Sequence, residues 1–280
     1  MNNLKMFCLS LHNEHLENLK KINYIPVGLG KNSFLDEWLK DSTGDNISYK
    51  NKYYGEYTFH YWLWKNMFHT IKDNEWIGFC TYRHYWADNN QTHSDEINKI
   101  VNNNNFLNLV LKGPKKEWIN HNVILGEKMK VDNIKFMKII KNGGVRFALK
   151  NIRTILQNKY NIKFHFDVFH GDGFLDKAIS VLDTKDRIDF KNFVENEGSF
   201  NRENMFICRS KSIVNSYYES IFEWLKNCEK IFGFNLHKWN EIRLYAFLAE
   251  RYLPYWFNKY TKPLVWPIFF FDTYKNKLNL

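Results

Sequence analysis

Short apolar runs recur along the chain, each followed by residues at helical spacing. This alternation limits the folds open to it more than any other feature. "LKMFCLSLH" (4–12), "NYIPVGLG" (23–30), "WIGFCTYRHYW" (76–86) and "FNRENMFICRS" (200–210) are such runs. Runs of this kind, bounded by turn residues, read as strands buried in a sheet. "DSTGDNIS" (41–48) is turn chemistry, with Ser48 placed to cap the next helix. From about 52 to 72, Tyr53, Tyr57, Tyr61, Trp64 and Phe68 fall on one helical stripe. A second face carries Tyr54, Thr58, Trp62, Lys65 and Asn66. "NFLNLVLKG" reads as a further strand, and "NGGVRFALKNIRTILQNKY" as a turn and helix. A tight turn in "DVFHGDGFLD" precedes a helix from about Phe174, and helices over about 212–230 and 238–251 follow. Strands alternating with helices predict an α/β domain with a mainly parallel or mixed sheet and a helix-rich C-terminal part. No internal repeat or linker divides the chain. It reads as one domain over 1–255 with an aromatic, basic tail over 256–280.

The net charge of +10 favours anionic partners such as phosphorylated ligands, nucleic acid or lipid headgroups. The positive residues are scattered, and there is no RNA-recognition signature, zinc-finger spacing or clustered basic helix, so nucleic acid is not expected. Cys8, Cys80, Cys208 and Cys228 show no CxxC spacing, which argues against zinc. Free thiols in apolar runs fit a cytoplasmic protein, and no leader or membrane-spanning run is read. The tail "YWFNKYTKPLVWPIFFFDTYKNKLNL" is expected to touch anionic lipid at the inner face of the cytoplasmic membrane.

Phosphate-loop, dinucleotide-fold and serine-hydrolase motifs are missing. Arg83 stands out instead, because a guanidinium in an apolar strand needs an anion. That anion is either a structural carboxylate or a ligand phosphate at the strand's C-terminal end. Asp167, His170, Asp172 and Asp176 lie close in sequence, without a metal-ligand code. Asn201, Arg202, Glu203 and Asn204 stand at the mouth of a strand. Glu250 is either a general base or half of an ion pair with Arg251.

Six stretches then align in content and order with one family. "YIPVGLG", "DSTGDNISYKN", "YGEYTFHYWLWKN", "GFCTYRHYW", "ENMFICRS" and "YAFLAERYL" resemble the DUF4422 family over about residues 4–255. These are bacterial proteins of capsule and O-antigen gene clusters, regarded as glycosyltransferases. The family's "HYRRYF" is "TYRHYW" here: Arg83 is kept and the second Arg is His84. Its "ELT" is "EYT", which keeps Glu56 and Thr58. The resemblance implies a GT-A-like fold and transfer of a hexose, from a UDP-sugar, to a capsular or lipopolysaccharide glycan, free or lipid-linked. Such folds usually carry a metal-binding DxD near the strand at 76–86. Here Tyr82-Arg83-His84 stands there, so no cofactor is expected and a divalent metal (Mn²⁺ or Mg²⁺) is not favoured. On this reading Arg83 stabilises the leaving diphosphate, with Asp172 or Glu250 as base. Asp45, Asn46, Asn51, Glu56, Lys65, Asn66, Tyr82 and His84 would hold the donor, and His170, Asn201 and Asn204 the acceptor. The alternatives are a transferase of another phosphorylated group, a nucleotide-sugar hydrolase, and a non-catalytic glycan- or nucleic-acid-binding module.

Overall fold

A computed structural model describes residues 4–132, 134–238 and 241–275. The chain divides into two compact units. One contains residues 1–127, 203–218 and 257–280; the other contains 128–202 and 219–256.

The first unit is built on a mixed sheet. Its strands are β1 (Leu4–Ser10), β2 (Ile25–Gly28), β3 (Leu39–Lys40), β4 (Trp76–Thr81), β5 (His84–Trp86) and β6 (Val123–Gly126). In the second unit β7 (Lys128–Lys130) pairs antiparallel with β8 (Ser199–Asn201). The main sheet is completed by β9 (Phe206–Cys208), β10 (Leu264–Trp266) and β11 (Ile268–Phe270). Its order is β10-β6-β9-β4-β1-β2-β3, and β5 bridges β4 to β11. β2 and β4 both run parallel to β1, whereas β9 runs antiparallel to β4 and β6. β1 shows why its sequence is mostly apolar. Met6 and Cys8 join a core with Leu19, Trp76, Ile97 and Trp118. Phe7, pointing the other way, packs on Phe59 and Phe79 at ring distances of 5.3 and 5.8 Å. A strand covered on both faces has no polar side to display.

Three expectations are corrected here. The run at 76–86 is two strands and a turn, which places Arg83 in the open and not inside an apolar strand. The helix expected over 52–72 is broken at Gly55, whose φ of +54° suits glycine alone. A helix over Tyr57–Trp62 and a wider π-type turn over Leu63–Met67 follow. The two expected faces therefore mix: Tyr57 and Phe68 of the expected core stripe are buried, but so are three residues of the other face. Tyr54, Thr58 and Trp62 are buried, while Tyr53, Tyr61 and Trp64 are half-buried. Finally, 264–270 is not a surface tail, because β10 pairs with β6 and β11 with β5 inside the sheet. Residues 276–280 lie outside the described residues.

The second unit is helical apart from β7 and β8. Its core includes Phe190, Trp224, Tyr252 and Tyr255 around Asp186, a fully buried carboxylate that accepts from both tyrosine hydroxyls at 3.1 Å. A buried carboxylate is tolerable when it is hydrogen-bonded in this way. Among the described residues no helix is long and apolar enough to cross a membrane.

Candidate functional site

From β1 the chain moves to β2 and β3 on one side, then returns to place β4 on the other. The strand order therefore reverses between β1 and β4. At such a reversal the loops leaving the two C-terminal ends diverge and open a crevice, which is where open α/β sheets bind ligands. The loops here are Leu11–His15 and the Tyr82–Arg83 turn.

That turn is held firmly. Tyr82 donates its N–H to the Leu9 carbonyl at 3.1 Å, and its own carbonyl accepts from the Thr273 N–H (3.2 Å) and hydroxyl (2.9 Å). The Arg83 carbonyl accepts from the Phe271 N–H at 2.9 Å. The guanidinium lies over the Tyr82 ring, 4.9 Å from its centroid, and makes no ion pair among the described residues. Arg83 is thus an exposed cation on a rigid turn, with its fork free for an anion. His84 is half-buried beside it, 3.6 Å from Glu203.

Rings pack around the turn. His12 stacks on Tyr274 at 4.1 Å and meets Tyr82 edge-on at 5.2 Å. His15 is 1% exposed, stacks on Tyr82 at 5.7 Å and meets Trp38 edge-on. Burial, reinforced by His12, lowers the His15 pKa to about 4, so the ring is neutral at physiological pH. His12, His15 and Tyr274 were not singled out in the sequence. The available signal was "SLHNEH", two histidines three apart directly after a buried strand. A cavity of about 500 Å³ lies along the segment that follows β11, lined by Asn98, Asn102, Asn104, Phe270 and Asp272. Amides, a carboxylate and a Phe270 ring left 45% exposed are the partners that sugar hydroxyls and C–H faces use.

The turn at 41–48 is a scaffold that spends its polar groups on itself. Gly30, at φ +74°, donates its N–H to Asp41 at 2.8 Å. Thr58 donates to the same carboxylate at 2.6 Å, and Asn51 donates to Thr58 and to the Gly55 carbonyl, each at 3.0 Å. Burial raises the Asp41 pKa to about 6. Asn46 accepts from Ser48 and donates to the Gly44 carbonyl. Asn66 accepts from the Asp45 N–H at 2.9 Å and donates to the carbonyls of Asp45 (2.7 Å) and Trp62 (2.9 Å). Gly44 has φ +56°, and a Cβ there would sit 2.2 Å from the Asn66 Oδ1. Asn46, Asn51 and Asn66 therefore hold the loop, and their amides are not free for a donor as the sequence led us to expect. Asp45 stays exposed with Tyr61 donating to it at 3.3 Å, and Lys65 is exposed over the Trp64 ring at 3.6 Å. Glu56 is half-buried. Asn66→Ala removes three hydrogen bonds and is expected to cost about 1–3 kcal/mol, read as a lower midpoint in thermal or urea unfolding.

In the second unit the expected acid–base residues are otherwise engaged. Asp172 is exposed and pairs with Lys150 at 3.3 Å. With Asp167, Lys141, Lys238 and Glu241 it lines a cavity of about 480 Å³. Those charges are largely neutralised within the unit, Lys163 holding Asp167 at 2.6 Å and Lys238 holding Glu241 at 3.1 Å. Glu250 is ion-paired with the buried Arg251, which weakens its claim as a base. Arg251 lies over the Phe200 ring at 4.7 Å and reaches His170 at 3.2 Å. His170 itself is buried and stacked on Phe247 at 3.8 Å, so it faces the core and not an acceptor. Asn201 is buried in β8, and Asn204 belongs to the other unit. Among the described residues no three His, Cys, Asp or Glu side chains converge as a metal site.

The fold matches a solved structure titled WbbM bifunctional glycosyltransferase, in its apo form, with a TM-score of 0.67 and 21% identity. The match covers 96% of this chain and 45% of the WbbM chain, so the chain spans about half the length of that protein. No curated protein matches. The family model described as a domain of unknown function, DUF4422, matches residues 6–262. The chain belongs to the DUF4422 family.

Proposed function

We propose that this protein is a glycosyltransferase that moves a sugar, a hexose carried by UDP, onto a growing capsular or lipopolysaccharide glycan. The observation that carries the reading is Arg83. It is an exposed guanidinium, unpaired among the described residues, on a fixed turn at the β1/β4 reversal, in a fold shared with a glycosyltransferase chain. Sugar transfer from a nucleotide donor leaves a diphosphate, and charge grows on the leaving oxygen as the glycosidic bond breaks. A cation fixed in advance at that place stabilises the transition state more than the ground state. Guanidinium, phenol and imidazole stand at the end of β4, and these make a poor donor set for Mg²⁺ or Mn²⁺, which take oxygen ligands. Arg83 is therefore assigned the role that a metal plays elsewhere. The Asn98–Phe270 cavity supplies amide and ring surfaces suited to a sugar.

The test is product analysis with labelled UDP-hexoses and an oligosaccharide acceptor. Transfer to the acceptor supports the reading, and release of free hexose alone supports a hydrolase. Activity is expected to persist in EDTA. If EDTA abolishes transfer and Mn²⁺ restores it, the guanidinium does not replace the metal.

A further inference from the structure

Residues 134–163 contain eight Lys and Arg and not one Asp or Glu. They form three short helices, Phe136–Gly143, Val145–Lys150 and Ile152–Gln157, before the helix Ile162–His170 begins. The inner side of this segment is ordinary core: Phe147 and Ala148 are buried, and Phe147 packs on Phe164 at 5.6 Å. The outer side is not ordinary. Val145 and Leu149 stand one turn apart on the second of these helices, and Ile152 and Leu156 one turn apart on the third. All four face solvent, at 60, 67, 39 and 78% exposure. Phe136 and Met137, at 48 and 72%, extend the apolar surface onto the preceding helix. Single exposed apolar residues are common, whereas six on three consecutive short helices mark a surface that meets something.

The charges around the patch identify what it meets. Lys135, Lys141, Arg146, Arg153 and Lys159 make no ion pair among the described residues. Lys150 and Lys163 are paired with Asp172 and with Asp167 and Asp176, and Lys138 lies over the Phe169 ring. An apolar patch rimmed by unpaired cations matches the boundary of an anionic bilayer. Apolar side chains enter the acyl edge there while lysines and arginines meet headgroup phosphates. A second copy of the chain fits worse, because a two-fold contact through this face would set cation against cation. We infer that the segment Lys135–Lys159 docks this protein onto an anionic membrane surface, lying in the interface without crossing it. The inference stands apart from the proposed chemistry and holds whatever reaction the first unit performs.

Co-sedimentation with phosphatidylcholine vesicles, with and without phosphatidylglycerol, tests it on the full chain. The wild type is expected to sediment with the anionic vesicles only. Binding is expected to weaken as salt rises from about 0.1 M to about 1 M, where the Debye length shrinks from about 10 to about 3 Å. Arg146→Gln with Arg153→Gln is expected to weaken partition about 25-fold, at about fivefold per cation. Leu149→Glu with Leu156→Glu is expected to abolish it even at low salt, with an unchanged melting temperature because both sites are exposed. A fluorophore on Leu156→Cys gives a second readout, since the four native cysteines are buried. Its emission is expected to shift to the blue on anionic vesicles. Failure of the wild type to bind them, or equal binding by the Leu149→Glu, Leu156→Glu variant, overturns the inference. So does a wild-type dimer that this variant converts to monomer, because the patch would then join copies of the chain.

Discussion

Arg83→Ala is expected to lower kcat/KM for sugar transfer by about 10² to 10³, the usual loss when one preorganised charge-stabilising group is removed. Stability should hardly change. The side chain is exposed, and among the described residues its close partner is the Tyr82 ring at 4.9 Å, a contact worth about 0.5–1 kcal/mol at such a site. The turn itself is held by backbone bonds to Leu9, Phe271 and Thr273, none of which uses the guanidinium. Arg83→Lys keeps a point charge without the planar fork, so its rate should fall between the other two. A binding readout separates this from a folding defect. A nucleotide at 100 times its Kd stabilises a protein by about 2.7 kcal/mol. The wild type should show that shift with UDP and no metal, and Arg83→Ala should lose most of it at the same concentration. If Arg83→Ala transfers sugar at the wild-type rate and keeps the UDP shift, the diphosphate is bound elsewhere. If no nucleotide shifts the wild type, the nucleotide-sugar reading itself fails.

The sheet's central strands were legible in the sequence because β1, β4 and β9 are covered on both faces and carry almost nothing but apolar residues. Arg83 was legible for a reason that proved incomplete. It stands out in an apolar run, yet the run turns at Tyr82–Arg83, and two strands joined by so short a turn look like one strand in hydropathy. Gly55 hid in the same way. One glycine inside a helical pattern is often tolerated, and only its positive φ shows that the period must be counted afresh beyond it. β10 and β11 were missed because their partners, β6 and β5, lie more than a hundred residues earlier in the chain. The asparagines of "GDNIS" and "WKN" looked like ligand groups because amides serve loops and sugars equally well. Which use applies depends on whether backbone groups come within 3 Å, and spacing does not reveal that.

Stability is expected to fall steeply as pH drops from about 6.5 to about 4. Three buried histidines set this window. Burial lowers the pKa of His15 to about 4 and those of His60 and His165 to about 3, the last also pressed down by Arg251 and Lys138. His60 is fully buried against Tyr218, its Nδ1 2.9 Å from the hydroxyl, so a charged ring there has no water to replace. In the unfolded chain each histidine takes up a proton near pH 6.5, whereas in the fold it does not until about 4 or 3. The unfolded state binds more protons throughout that range, so stability rises with pH across it and is lost as pH falls. By about pH 5 each histidine costs about 2 kcal/mol, and three together rival the 5–15 kcal/mol typical of a whole domain. Asp41 acts in the opposite sense. Its folded pKa of about 6 lies above the ordinary carboxyl value, so its contribution favours the fold at low pH and is lost as pH rises through 6. At about pH 5 it offsets only about 1 kcal/mol, so the histidines win. Urea unfolding from pH 7.5 down to pH 4.5 measures the balance. His60→Gln should lower the slope below pH 6.5 by about 1.4 kcal/mol per pH unit, one proton's worth, whatever it costs in packing at neutral pH. A midpoint that stays level between pH 7 and pH 5 would show that these rings are protonated in the folded protein, and that water or a carboxylate reaches them.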